Sequence, residues 1–148
     1  MSYHKRESPI HGTPFFLYIN FFTVLEKKGD DLYVTFGSNS LKLPKEKAED
    51  PALKEYVGQE VVLGIRPECI HDDAASLRAM SDSVIETDVE VTELMGSEIY
   101  LYLVSEETHM IARVSNRSTA RAGDIINVAF DMSRVHIFDK DTERYIVH

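Results

Sequence analysis

Along most of this chain the apolar positions recur at every second residue. Leu32, Val34 and Phe36 alternate with Tyr33 and Thr35, the period of a pleated strand with one face buried. Lys28-Gly29-Asp30 separates that run from the apolar stretch Phe21–Leu25, which predicts a hairpin. Leu41 and Leu43 prolong the pattern until Pro44 ends it. Further on, Ile85, Thr87, Val89 and Val91 alternate with Glu86, Asp88, Glu90 and Thr92, the clearest half-wet strand in the sequence. The alternation slips at Glu93-Leu94, just before Gly96, which predicts a bulge or tight corner there. A turn at Gly96-Ser97 leads into a second strand, Ile99–Leu103.

Val61–Ile65 is short, apolar and rich in β-branched residues. It reads as a buried strand that ends at Pro67, which has no N–H to give a ladder. Strands at Met110–Val114, Ile125–Phe130 and Val135–Phe138 follow, with a turn at Arg121–Asp124 and one helical turn at Asp131–Arg134. Only Lys45–Tyr56 has marked helical character. Pro51 divides it into one or two short turns, and Gly58 stops it. His71–Ser83, rich in Asp, Ala and Ser, reads as a polar surface loop between two halves. Nine short strands with frequent turns predict a mostly β fold, small barrels or a sandwich, with one or two short helical turns.

Charge narrows the partners. The net charge of −9 is uneven: residues 1–70 carry −1 and residues 71–148 carry −8. Such a surface repels nucleic acid and anionic membranes, since a nucleic-acid binder must replace the counterions of phosphates with its own cations. The single cysteine, Cys69, rules out an intrachain disulfide, fits a reducing cytoplasm, and reads as a small buried apolar residue. The longest apolar run, Pro14–Ile19 resumed at Phe21-Phe22, falls short of the ~20 residues that span a bilayer. Lys5 and Arg6 precede it, but no small-residue cleavage site follows, so a signal peptide is disfavoured.

The chemistry of an enzyme is hard to assemble from these residues. A phosphate-cradling Walker loop needs Gly followed by Lys, and none of the seven glycines precedes a lysine. The chain is therefore expected to hydrolyse no nucleotide by itself. The histidines 4, 11, 71, 109, 136 and 148 show no ligand spacing, although His109 and His136 could approach each other in a barrel. Asp139-Lys140-Asp141-Thr142-Glu143 begins like a calcium loop but lacks its Gly and distal Glu, so a polar turn is expected. Ser97 follows a Gly in a strand–turn–strand context, not the strand–turn–helix of a nucleophile elbow. Glu86 and Glu90 read as a solvated strand edge. No catalytic residue, cofactor or metal is expected.

Four stretches carry a more specific signal. They are Asn20-Phe21-Phe22, then Val61–Glu68 (VVLGIRPE), then Val89–Tyr100 (VEVTELMGSEIY), then Phe130-Asp131 with His136–Asp139 (HIFD). In this order and spacing they resemble the ATP-binding subunits of maltose-type sugar-importing ABC transporters, over residues 20–147. Gly12-Thr13-Pro14 is similar to a further family segment, set apart from Asn20 by Phe15–Ile19. The resemblance implies the C-terminal regulatory region that follows the ATPase domain, an OB-like, TOBE/MOP-like pair of small barrels. It divides the chain into an N-terminal segment, residues 1–19, whose origin the sequence leaves open, and an OB-like regulatory domain over 20–148. The latter comprises two intertwined halves, 20–70 and 84–148, joined by the polar loop. It also implies a homodimer that works with the ATPase domain and membrane subunits of a parent protein. That protein would be cytoplasmic, peripheral to the inner face of the cell membrane, with a regulatory protein or sugar as a possible effector.

Within that frame seven residues are candidates for interface or regulatory roles. Arg66 ends a buried strand with Glu68 two positions on, where a guanidinium can hold a carboxylate in a fixed fork, within the chain or toward a partner. Gly96 is expected at positive φ, presenting Ser97 and Glu98 at an exposed tip, or forming a plain hairpin turn. Tyr100 and Tyr102 share one strand face opposite Ile99, Leu101 and Leu103, which suits a half-wet interface or core filling between barrels. The alternative function is a free-standing small-ligand or oxyanion-binding MOP-like domain, against which the charge of the C-terminal half argues.

Overall fold

The computed structural model describes residues 19–147. The expectations for residues 1–18 therefore lie outside the described residues, as does His148. Ile19, the first described residue, is buried and belongs to the first strand.

Eleven strands form two antiparallel sheets among the described residues. The first is built from β1 (Ile19–Lys28), β2 (Asp31–Phe36), β3 (Asn39–Lys42), β4 (Glu60–Ile65), β10 (His136–Phe138) and β11 (Tyr145–Val147). Its spatial order is β11-β10-β4-β1-β2-β3. The second contains β5 (Ile70–His71), β6 (Val84–Met95), β7 (Glu98–Ser105), β8 (Thr108–Ser115) and β9 (Ile125–Phe130), in the order β5-β9-β6-β7-β8. Because β5 also packs beside β8, this second sheet curls into a nearly closed barrel. The chain crosses between the sheets twice. β5 follows β4 directly yet joins the second sheet, and β10 and β11 return to the first after the second is complete.

The mostly β architecture and short helical turns agree with the pattern of the sequence. α1 (Lys45–Ala48) and a 3₁₀ turn at Pro51–Tyr56 occupy the helical patch, with Pro51 as the break between them. Two strands escape the alternation rule, β5 and β11, because two and three residues are too few to display a period. The expected polar loop His71–Ser83 is instead largely ordered structure. α2 (Ala74–Ala79) starts where the Asp73 carboxylate accepts from the Ser76 N–H and hydroxyl, and a 3₁₀ turn follows at Ser81–Ser83. No residue of α2 is buried, so it shows no amphipathic stripe to read.

The strand slip is also relocated. β6 pairs with β7 as Val89↔Leu103 and then Val91↔Tyr102, so the extra residue is Glu90 rather than Glu93-Leu94. Past this bulge the faces exchange. Thr92 and Leu94 lie opposite Leu101 and Ile99, while Val91, Glu93 and Met95 turn to the other face; of these five only Thr92 is half-buried, and the rest are exposed. The alternation Val89–Val91 survives in the sequence because both are valine; only the ladder shows that they face opposite ways.

One core spans both sheets. Phe21 of β1 packs edge-on against Phe36 at 4.8 Å and Phe130 of β9 at 6.4 Å between centroids, joining the two layers. A polar clasp adds to this join. The Ser38 N–H and hydroxyl donate to the Glu106 carboxylate at 2.7 and 3.2 Å, and the Asn39 side-chain amide donates to Ser105 Oγ at 2.9 Å. At Gly64 a Cβ would lie 2.7 Å from the Phe138 ring, so glycine there lets β10 approach β4 closely.

Candidate functional site

The sequence of β7 and β8 positions a charged cluster on the outside of the second sheet. The two strands are joined by Glu106-Glu107, with Glu106 at φ 55°, and Ser105 pairs with Thr108. That register puts Arg113 opposite Tyr100 and Ser115 opposite Glu98. Arg113 Nε lies 3.4 Å from Glu98 Oε2, and Arg113 Nη2 lies 4.0 Å from Glu68 Oε1. The other Glu68 oxygen lies 4.0 Å from Arg66 Nη1. Burial works against the charge on Arg113. The Tyr100 phenol, Glu68 and Glu98 outweigh it, and together they hold the guanidinium above its ordinary pKa.

Glu68 belongs to the 3₁₀ turn Pro67–Cys69, which packs against β8. This is the seam of the barrel, where β8 meets β5 without a ladder bond between them. The Arg66–Glu68–Arg113–Glu98 chain of charges therefore bridges the one gap in the second sheet. Four of the seven candidate residues, Arg66, Glu68, Glu98 and Tyr100, are brought together around Arg113. Gly96 and Ser97 form the β6–β7 turn, with Gly96 at φ 69° as expected. Nothing lies within 4 Å of where its Cβ would stand, so the glycine serves the turn and not a close contact. Tyr102 donates to Glu93 Oε1 at 3.0 Å.

Arg113 is the functional candidate that sequence reasoning missed. Its register depends on the Glu106-Glu107 turn, which contains neither Gly, Asn nor Pro to announce it. Beside the cluster is an open cleft of about 570 Å³, lined by Glu68, Asp72, Asp73, Glu98, Arg113 and Arg117 among others. Carboxylates outnumber cations in this group of six.

A second surface lies at the tip of the β6–β7 hairpin. Leu94 is 71% exposed, Val91 52% and Met95 49%. Past the bulge, Val91 and Met95 share one face of the arm and Leu94 takes the other, so the hairpin offers apolar area on either side.

The remaining candidate chemistry resolves into structure. Asp139 accepts from the N–H groups of Asp141 and Thr142, and from the Tyr56 hydroxyl at 2.7 Å, making a polar turn tied to the Pro51–Tyr56 segment. Those bonds, the Thr142 N–H first, hold its carboxyl down to about 2. His109 sits in the second sheet, 3.5 Å from Glu90, and His136 in the first, against the rings of Phe138 and Tyr145. No group of three or more His, Cys, Asp or Glu among the described residues could hold a metal. Cys69 is buried, and burial pushes its thiol up. No helix among the described residues is long and apolar enough to cross a membrane.

Two family models match this chain in succession. The MalK OB fold domain covers residues 19–70, and the TOBE domain covers residues 63–138. The chain belongs to the TOBE domain family. The TOBE match alone spans half the sequence, and the two together take in nearly all the described strands.

Full-length relatives of this TOBE chain include the oligosaccharides import ATP-binding protein MsmX of Bacillus subtilis. It is 39% identical over 84% of this chain and 33% of its own length. The trehalose/maltose import ATP-binding protein MalK of Thermococcus litoralis is 36% identical over 79% of this chain and 32% of its own. The chain thus spans about a third of the length of the curated relatives it matches. Among solved structures, the cytoplasmic molybdate-binding protein ModG with molybdate bound gives a TM-score of 0.60 at 16% identity. That match covers 80% of this chain and 93% of ModG. At that identity the likeness is one of fold.

Proposed function

We propose that this TOBE chain is a non-catalytic regulatory and pairing module of a sugar-import ABC transporter ATP-binding subunit. One observation carries the reading: the 39% identity to MsmX extends over 84% of this chain but only 33% of MsmX. The likeness is therefore to one part of an import ATPase and not to its whole.

In this reading the module works by offering surfaces. The apolar tip of the β6–β7 hairpin, with Tyr102 beside it, is the contact to a second copy. Arg66, Glu68, Glu98 and Tyr100 hold Arg113 as a rigid corner, so that the Gly96-Ser97 turn keeps a fixed direction. The parent protein sits in the cytoplasm against the inner face of the membrane, where its ATPase domain serves the membrane subunits. A regulatory protein or sugar acts through the module's outer surfaces.

Replacing the matching third of MsmX with this chain tests the assignment. The chimera is expected to restore oligosaccharide import to a Bacillus subtilis strain lacking MsmX, whereas MsmX without that third is not. A chimera that is expressed and folded yet as inactive as the deletion would overturn the reading.

The second reading, an oxyanion binder, has the ModG-like fold in its favour. The candidate cleft, with carboxylates in excess over its two arginines, opposes a tetrahedral anion. Molybdate is accordingly expected to leave the melting temperature unchanged, since only a ligand that binds the folded state raises it.

A further inference from the structure

A different face of the molecule carries an inference that goes beyond pairing. β1 is central in the first sheet, with β4 on one side and β2 on the other, and its outer face presents Phe22, Val24 and Glu26 in a row. Directly across the ladder, Phe22 faces Val62, and Val24 faces both Glu60 and Thr35. The neighbours of Phe22 along the strand, Phe21 and Thr23, are buried at 7% and 2%, whereas Phe22 itself is 59% exposed. A large aromatic side chain within the β1–β4 ladder is thus left uncovered by the described residues.

The rim of this apolar strip is of one sign. Phe22 and Val24 line an open groove of about 680 Å³ together with Glu26, Glu60, Glu106 and Glu107, and no basic residue is among its walls. Glu26 accepts from Thr35 Oγ1 at 3.1 Å, and Glu106 is engaged by Ser38. Lys140 lies 3.5 Å from Glu60, and Lys28, two positions beyond Glu26 in the same row, holds its Nζ 5.0 Å from the centroid of the Tyr33 ring. The four carboxylates outnumber these two lysines around the phenylalanine. The groove runs from β1 and β2 of the first sheet to the β7–β8 turn of the second, so an occupant would touch both.

We infer that this groove docks a basic protein segment that carries an apolar anchor side chain. An aromatic or aliphatic side chain set on Phe22 and Val24 supplies the burial, and flanking lysines or arginines meet the carboxylate rim. The same rim repels nucleic acid and anionic lipid, which leaves a cationic polypeptide as the matching chemistry.

The test titrates the intact chain with a short fluorescein-labelled peptide of lysines around one tryptophan, read by fluorescence anisotropy. Saturable binding is expected at low salt, weakening as salt rises and the charges are screened. Phe22→Ser is expected to weaken it about tenfold or more, the scale of burying one aromatic side chain. Its melting temperature should hardly move, because the ring is mostly exposed already. Glu26→Gln combined with Glu60→Gln is expected to lower affinity several-fold at low salt only. A peptide with glutamates in place of lysines should not bind.

Equal affinity for Phe22→Ser and the native chain, or equal binding of the acidic peptide, contradicts the inference. Binding that emerges only once residues 1–18 are removed assigns the groove to the chain's own start, and so does away with the external partner. Self-association lost in Phe22→Ser, without peptide binding, assigns it to a second copy instead.

Discussion

Two glycines of this chain do opposite things, and the difference is measurable. Gly64 has an ordinary backbone and no room, because a methyl group would press on the Phe138 ring and the Asn20 side chain. Gly96 has ample room and an unfavourable backbone, at φ 69°. Gly64→Ala should therefore act as an overpacking change in a buried layer, costing about 1–3 kcal/mol. Gly96→Ala should cost about 1–2 kcal/mol through φ alone, and Gly96→Asn, which tolerates that region, should recover most of it. Urea unfolding of these three variants and of Gly64→Asn checks the assignment. Recovery by asparagine at position 64 would contradict it, as would its failure at position 96. The charged residues are ranked in the same way. Arg66 is 42% exposed and meets Glu68 at 4.0 Å, so Arg66→Ala should change stability by at most about 0.5 kcal/mol. Arg113 spans the seam with two carboxylates and a tyrosine, so Arg113→Ala should cost more, about 1 kcal/mol. A reversed order would show that the seam does not depend on Arg113.

Among the elements, the turn at Asp139 ties the last strands to the 3₁₀ segment Pro51–Tyr56, and it is a titrating tie. The Asp139 carboxyl lies below its ordinary 3.8, at about 2 in the folded chain. A carboxyl so lowered adds stability that is complete above its unfolded pKa and is lost as pH falls from about 3.8 to about 2. Asp139→Asn should thus lower the melting temperature at neutral pH, and the gap from the native chain should close across that window. A gap independent of pH would mean that the carboxylate charge contributes nothing. The turn also shows how far elements were legible. Asp139–Glu143 announced itself as polar and turn-forming, whereas its hydroxyl partner Tyr56 is 83 positions away and left no local trace. The long strands β6 and β7 were readable because β6 up to Val89 and β7 from Leu101 bury every second residue, while the bulge at Glu90 was hidden by valines on both sides of it. α2 was unreadable for the opposite reason, since it buries nothing.

Taken whole, the molecule is a pair of sheets laced together by two chain crossings, the Phe21–Phe36–Phe130 contact and the Glu106 clasp. Period-two patterning foretold its mostly β character and nearly every long strand. Four ordered motifs foretold its family, and the strand crossings needed the ladders themselves. Of the candidate site, Arg66, Glu68, Glu98 and Tyr100 were nameable in advance as residues of two separate stretches. Their convergence was not, because it depends on Arg113 and on a Glu-Glu turn without a turn signature. What the assembled surface offers is apolar area at one hairpin tip on a molecule of net charge −9. Pairing through that tip has to overcome like-charge repulsion, so it should strengthen with salt as the charges are screened. Light scattering across a concentration series tests this most directly. The native chain should shift from monomer to dimer with rising concentration, sooner at high salt, and Leu94→Asp should hold it monomeric without lowering its melting temperature. A native chain that remains monomeric throughout, or a dimer indifferent to Leu94→Asp, would contradict the account.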